Sequence, residues 1–371
     1  MVVGILGGGQ LARMLALAGL PLGLRFRFLD PSPDAVAGHV GELVVGAYDD
    51  PDALARFVKG VRLVTFEFEN VPAAAARWLL DHVAVHPHPR ALEVGQDRLE
   101  EKRLFERVGL AVPPYSAVAT LAEFQHAVAR LGRPCIAKTR RLGYDGKGQR
   151  VLRDGTDLVT AFSELTAHST SGLLVERLVA FDRELSILAV RSTTGETAIY
   201  PLVENRHVDG MLRLSKAPAA RVPPELAREA ERVAKAVLEM LDYVGVLAIE
   251  LFEQGGKLLG NELAPRVHNS GHWTIEGSVC SQFENHLRAV LGWPLGSTQM
   301  TLGGSARMVN LVGEEPNRAD LLAVPGARVH LYGKAAKAGR KLGHVTLVGS
   351  SEQALDESTR RIEELAAQAL R

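Results

Sequence analysis

The first 89 residues alternate short apolar runs with helical patterns, and few folds accommodate that alternation. Val2 to Leu6 reads as a buried strand and Leu11 to Gly19 as a helix. Strands at Arg25–Leu29, Leu43–Val45, Val61–Phe66 and Val83–Val85 follow, with helices at Pro51–Val58 and Pro72–Leu80. Continuous apolar strands separated by helices imply a parallel sheet covered on both faces. Gly7-Gly8-Gly9 ends the first strand and opens the first helix, so free backbone N–H groups would meet there as an anion site.

Two functions compete for that turn. Gly7, Gly9 and Ala12, with Asp30 after the second strand, loosely match a dinucleotide fingerprint and suggest an NAD oxidoreductase. The same geometry would hold the phosphate of a sugar phosphate. Thr65 to Asn70, with Glu67 among them, lies at the carboxyl end of a central strand, where open α/β sheets bind ligands. Those polar side chains either reach a ligand or cap the helix that begins at Pro72.

At 371 residues the chain has room for two to three domains, and its 43 basic residues balance its 43 acidic ones. Nothing in that balance points to a bulk electrostatic partner such as nucleic acid or an anionic membrane. Cys135 and Cys280 lie far apart without metal-ligand spacing, as expected for a reducing compartment. No apolar run is long enough to cross a bilayer, and the N-terminus lacks the marks of a signal peptide. A cytoplasmic protein is expected.

Downstream, Leu92 to Val108 reads as one helix, with Arg98 in its first turns. The plain role for Arg98 is an intrahelical pair with Glu100 or Glu101. Pro113-Pro114 breaks the chain before a small α+β unit. There Lys138 ends a strand, and Gly143-Tyr144-Asp145-Gly146-Lys147-Gly148-Gln149 forms a glycine-rich loop. Such a loop is either a hairpin tip or a flap whose backbone approaches phosphates. A buried Lys138 needs an anion, and phosphate would serve.

Val244 to Phe252 reads as a strand with Val246, Ala248 and Glu250 on one face, and Leu258 to Leu263 returns from a turn at Gln254–Lys257. A loop centred on Gly256 sets Glu250 against Glu262, within about 5 Å across the pair. Two such acids are either solvated on an open face or held around a cation. Hard oxygen ligands suit magnesium carried with nucleotide phosphates. Arg266 follows, with a planar fork shaped for bicarbonate, carboxylate or phosphate, and then His268, His272 and Trp273.

The run from Asn261 to Thr274 resembles the signature of the N5-carboxyaminoimidazole ribonucleotide synthetases, ATP-grasp ligases that use ATP and bicarbonate in purine biosynthesis. The resemblance extends over essentially the whole chain. It implies a multidomain α/β and α+β architecture: an N-terminal Rossmann-like unit at 1–95, and an ATP-grasp region at 96–300. Within that region the lid falls at about 115–176 and the central sheet at about 177–300, and a β-rich C-terminal subdomain occupies 301–371. It also implies carboxylation of 5-aminoimidazole ribonucleotide through carboxyphosphate, with magnesium on Glu250 and Glu262.

By the same resemblance, ATP would be held by Arg98, Lys138, the Gly143 to Gln149 flap, Glu176, Arg177, Leu178, Val179, Glu184, His207, Asn261 and Glu262. Arg266, His268, Tyr144 and Asp145 would line the transfer site, with His268 or Asp145 accepting the amine proton. Gly9, Gln10, Leu11, Glu67, Lys334, Arg340 and Lys341 would contact the ribonucleotide. Ala264 stands where the wider superfamily often has an asparagine ligand, which implies fewer protein ligands for a second magnesium. A homodimer is expected. Among the alternatives, a formate-using ribonucleotide transformylase leaves the Arg266 to Trp273 run unexplained. An NAD oxidoreductase leaves both glutamates and the flap unexplained, and intact acids, lysine and arginine argue against a non-catalytic nucleotide sensor.

Overall fold

The computed structural model describes residues 1–143, 148–167, 171–301 and 304–370. Tyr144, Asp145, Gly146 and Lys147 lie outside the described residues. Among the described residues three sheets form. The first is parallel, in the order Glu42–Val45, Arg25–Asp30, Val2–Leu6, Leu63–Phe66, Ala84–Val85. Val2–Leu6 sits at its centre, and its last four residues are buried, as a strand covered on both faces requires.

The second sheet is antiparallel and small: Tyr115–Val118, Leu173–Arg177, Cys135–Thr139, Gln149–Leu152. It has a core of its own, in which Phe124, Val128 and Leu131 of one helix pack on Ala137, Leu173 and Val175. The third sheet has nine antiparallel strands. The hairpin Gly245–Gln254/Lys257–Ala264 forms one edge, followed by Arg183–Arg191, Val203–Val208 and Met211–Ala217. It continues without a break into Ser305–Val312, Lys341–Gly349 and Arg328–Leu331.

Two layers of apolar side chains bury this large sheet. On one face, Ala230, Val233, Ala234 and Val237 of the helix Pro224–Met240 meet Ile187, Leu247 and Ile249. On the other, Phe283 and Leu287 of Gln282–Leu291 join Leu11, Leu15, Val246 and Trp273 in a core shared with the first sheet. The first sheet is therefore docked on the large one. No helix among the described residues is long and apolar enough to cross a membrane.

One expected element is different. Leu92 to Val108 is not a single helix but two, Pro89–Gly95 and Arg98–Arg107. The break falls at Gln96-Asp97 because Asp97 turns extended and caps the second helix through Leu99 N–H at 3.0 Å. Arg140 grips the same carboxylate at 3.1 and 2.7 Å, so the cap also ties this helix to the end of a strand in the small sheet.

Candidate active site

The hairpin decides where the chemistry-bearing side chains meet. Its turn is Gly255-Gly256, both at positive φ (55° and 73°), with Gln254 paired to Lys257. That two-residue turn is shorter than the loop centred on Gly256. Yet Glu250 does oppose Glu262, because the ladder shifts register between Glu250 and Leu251 and leaves Asn261 as an extra residue. The bulged Asn261 turns its Nδ2 back to Glu250 at 3.3 Å.

Opposed carboxylates leave a mark on their own protonation. Burial, then the charge of Glu262, pushes Glu250 up to about 7. Glu101 is pushed up to about 8 by burial and again by Glu262, although it accepts Leu263 N–H at 2.6 Å. Arg98 contacts Glu262 at 3.3 Å across 164 residues, in place of the intrahelical pair its spacing allowed. A dication between Glu250 and Glu262 would relieve their repulsion, so the donor set fits magnesium. Among the described residues no group of three His, Cys, Asp or Glu is set to hold a metal. Phosphate oxygens would have to complete the shell.

Lys138 and Lys102 converge on Glu176 at 2.9 and 3.5 Å, all three nearly inaccessible. Burial would raise Glu176, but the two lysine charges and the Lys138 hydrogen bond overcome it and hold this acid at about 2. Lys102 also donates to Gly260 O and Asn261 O at 3.1 and 3.0 Å, pinning the bulge from below. Glu184 accepts from His207 N–H and lies 2.9 Å from His207 Nδ1. Burial alone would lower His207, but this bond and the charges of Glu250 and Glu184 raise it.

Most of these groups open on one cavity of about 700 Å³ between the three sheets, with Glu101, Lys102 and Glu176 buried behind its wall. Of the residues singled out in the sequence, Gln10, Leu11, Glu67, Arg98, Lys138, Gln149, Glu184 and His207 line it. So do Glu250, Asn261, Glu262, Arg266, His268 and Lys341. Gly9, Gly143, Gly148, Glu176, Arg177, Leu178, Val179, Lys334 and Arg340 do not belong to its lining. Lys334 is bonded to Gln10, which does, while Arg340 is exposed and donates to Ala335 O at 3.0 Å.

Arg266 donates through Nε to Glu69 at 2.5 Å and through Nη1 to Val267 O at 3.1 Å. Burial would raise Glu69, but the Arg266 charge and hydrogen bond hold it low. His268 is neutral, since burial and then the Arg266 and Lys341 charges lower it well below its ordinary value.

Part of the anion site expected at the first helix is taken up by the chain's own carboxylates, while Gln10 and Leu11 line the cavity. Glu67 takes the N–H groups of Gly9 and Ala12 at 2.5 and 3.0 Å, and a Cβ on Gly9 would collide with its Oε1. Asp30 takes Gly8 N–H at 2.8 Å. The fingerprint turn is thus bonded to two of the chain's own carboxylates, and its amides are not free for a dinucleotide pyrophosphate.

Several cavity residues escaped the sequence reading. Phe181 and Phe252 stack at 4.8 Å with planes 4° apart, beside Ile136. Phe252 shares the face of Glu250, so the strand's alternation carried that signal. Asn269 lines the cavity with both amide atoms buried and no partner among the described residues. Lys102 lies three residues from both Leu99 and Phe105, so helical spacing places it on their buried face.

Three family models match the chain. They are a ribonucleotide synthetase preATP-grasp domain at 1–96, an ATP-grasp domain at 103–283, and a phosphoribosylaminoimidazole carboxylase C-terminal domain at 306–358. The N5-carboxyaminoimidazole ribonucleotide synthase of Pseudomonas aeruginosa is 48% identical over 365 residues, 98% of this chain and 99% of the relative. That of Bacillus subtilis is 39% identical over 356 residues, 95% and 92% of the two chains. The crystal structure of N5-carboxyaminoimidazole ribonucleotide synthetase from Thermus thermophilus superposes with a TM-score of 0.92 at 55% identity, covering 98% of each chain. The Aspergillus clavatus synthase in complex with ADP and 5-aminoimidazole ribonucleotide gives 0.89 at 28% identity, covering 99% and 98%.

Proposed function

The chain belongs to the N5-carboxyaminoimidazole ribonucleotide synthase family of ATP-grasp enzymes, and from that premise we propose how its residues work. It is a ligase that carboxylates 5-aminoimidazole ribonucleotide at the expense of ATP, in purine biosynthesis. The observation that carries the site assignment is the bulged pairing of Glu250 with Glu262 on the same cavity as Lys138 and Arg266.

Bicarbonate is a poor electrophile because its leaving group would be hydroxide. Attack of a bicarbonate oxygen on the γ-phosphorus, with ADP leaving, gives carboxyphosphate. Its C–O bond to phosphate then breaks as the amine nitrogen bonds to carbon, and the departing phosphate can take up the proton that the amine loses. Phosphoryl transfer asks a protein mainly for positioning and charge neutralisation. Glu250 and Glu262 would hold magnesium, which supplies charge neutralisation at the β- and γ-phosphates. Lys138, anchored by Glu176, would reach the phosphates, and Arg98 would balance Glu262. Glu184 and His207 would bind the ribose end, with Phe181, Phe252 and Ile136 offering apolar surface to the base.

Arg266, oriented by Glu69, would bind bicarbonate and then carboxyphosphate. Lys341, Gln10 and Lys334 would meet the ribonucleotide phosphate. In this reading 1–95, 96–300 and 301–371 are the three units that close around the substrates. Buried, unpaired Cys135 and Cys280 suit a reducing cytoplasm. The family also suggests a homodimer, which light scattering on the purified chain checks.

The test is ADP release measured with ATP, bicarbonate and 5-aminoimidazole ribonucleotide, each omitted in turn. Release that is indifferent to both bicarbonate and the ribonucleotide would remove the assignment.

A further inference from the structure

Three consecutive residues at the start of the helix Arg98–Arg107 tie three parts of the chain together. Gln96 Nε2 donates to Glu69 O and Val71 O at 2.7 Å each, in the loop that follows the strand Leu63–Phe66. Asp97 takes Arg140, which follows the strand Cys135–Thr139 of the small sheet. Arg98 reaches Glu262 of the hairpin at 3.3 Å. The Asp97 bond has no part in the chemistry derived above. Its carboxylate is buried, does not line the cavity and faces two arginines.

Three bonds close this clip. Arg140 donates through Nε to Asp97 Oδ1 at 3.1 Å and through Nη2 to Oδ2 at 2.7 Å, the two-pronged pairing of a guanidinium with a carboxylate. Arg98 N–H donates to Arg140 O at 3.0 Å. Arg141 Nε adds a second charge 3.4 Å from Oδ2. Burial would raise Asp97, but the Arg140 hydrogen bond, the Leu99 N–H and both arginine charges hold it below its ordinary value. The carboxylate is therefore an anion at neutral pH.

The small sheet keeps its apolar core to itself, since every buried residue of that core lies between Val118 and Val175. Polar links join it to the helix instead. They are Asp97–Arg140 at the helix start, Lys102–Glu176 at 3.5 Å further along, and an exposed bond from Tyr115 OH to Glu106 at 3.0 Å near the far end. The first link lies between two cations of the cavity. Lys138 stands two residues before Arg140, and Arg98 stands one residue after Asp97.

We propose that Asp97 is a positioning residue for ATP. Through Arg140 it sets the strand end that carries Lys138 against the helix start that carries Arg98. Lys138 and the acids that Arg98 balances then address the same phosphates. Asp97 touches no reacting atom and acts only through these neighbours. This rests on the reading of Lys138 as a phosphate ligand.

The test variant is Asp97→Asn in the full chain, which separates the clip from the cap. Asparagine caps a helix about as well as aspartate, so Leu99 N–H keeps its acceptor. The charge is lost, and an amide nitrogen cannot accept from Arg140. ATP affinity, measured by calorimetry without bicarbonate or ribonucleotide, should fall about tenfold, the scale of one lost hydrogen bond between charged groups. The ATP KM should rise in parallel, while the bicarbonate KM stays at its wild-type value because Arg266 and Glu69 are untouched. Arg140→Gln should weaken ATP in the same direction and add nothing in the Asp97→Asn background, as partners in one bond do.

Wild-type ATP affinity in Asp97→Asn overturns the proposal. A joint rise of both KM values with a lower melting temperature makes the clip a structural tie and overturns it too. If Asp97→Asn does not fold, Arg140→Gln, which leaves the cap intact, decides alone. Unchanged ATP affinity there, at a wild-type melting temperature, overturns the positioning role. Lys138→Gln tests the underlying reading separately. Wild-type ATP affinity in that variant would sink the phosphate assignment, whatever Asp97 shows.

Discussion

Glu250 stands opposite Glu262 because Asn261 bulges out of the ladder between them. With the two-residue turn at Gly255-Gly256, an unbroken ladder would have paired Glu250 with Asn261. The bulge replaces an amide with a second carboxylate and leaves the amide bonded to the first. A pair of acids arranged this way is costly by itself, and its energetics make sense with a cation between them.

That cost sets the first prediction. Glu250→Gln and Glu262→Gln should each nearly abolish ATP turnover, since a shared metal loses a ligand. Neither should lower the melting temperature in the absence of metal, because one of two repelling charges has gone. Near-normal ATP turnover in either variant would end the metal assignment.

Glu176 predicts an acid limb of the stability curve. Its carboxyl sits at about 2 in the fold against an ordinary 4.5. A depressed acid stabilises fully above its unfolded value, and that contribution is lost as pH falls from about 4.5 through about 2. Urea unfolding across that window should show the decline, and Glu176→Gln should flatten it. At neutral pH the same variant strands Lys138 and Lys102 in a buried site, which should cost about 3–5 kcal/mol. An unchanged slope in the variant would mean that other carboxylates set the acid limb.

His286 predicts a second limb, at higher pH. It joins the first sheet to the large one, with Nε2 2.7 Å from Thr65 Oγ1 and Nδ1 accepting Val246 N–H at 3.1 Å. Burial holds it down at about 3 against an ordinary 6.5. The unfolded chain takes up the proton first, so stability falls as pH drops from about 6.5 toward 3. His286→Gln should remove this dependence and weaken the docking of the first sheet, read as faster proteolysis between the two sheets. An identical pH slope in the variant would rule His286 out.

How much of this was readable in advance varies with the range of the contact. The parallel sheet of the first 89 residues follows from local apolar runs, and each strand lies within a few residues of its expected place. The Glu250–Glu262 pairing was also legible, although through a turn one residue too long, compensated by an unforeseen bulge. What local pattern could not show was which distant group fills a charge. Glu67 takes Gly9 N–H across 58 residues, so the first turn holds a carboxylate of the chain itself. Helical spacing puts Lys102 on a buried face but does not name its partner Gly260 O, nor the Leu263 N–H that Glu101 accepts, about 160 residues on. Asp97 breaks its helix because Arg140, 43 residues away, draws its carboxylate toward the small sheet.

The last prediction separates anion chemistry from nucleotide binding at Arg266. Its hydrogen bonds use Nε for Glu69 and Nη1 for Val267 O, and among the described residues none uses Nη2. A guanidinium oriented on one side by a carboxylate can offer its remaining N–H groups to an anion, and lysine cannot reproduce that fork. Arg266→Lys should keep ATP affinity close to wild type, because Lys138, Glu184 and the opposed acids are untouched. It should lose bicarbonate-dependent ADP release by on the order of 100-fold, the scale of a missing transition-state donor. Glu69→Gln should give a milder loss in the same parameter, since it frees the guanidinium without removing it. If Arg266 instead only braces Glu69, both variants would melt lower, with ATP affinity and turnover falling together. Melting temperature, ATP dissociation constant and bicarbonate-dependent turnover, taken on one preparation of each variant, decide between the two. A stable Arg266→Lys with wild-type turnover would leave carboxyphosphate without its proposed ligand.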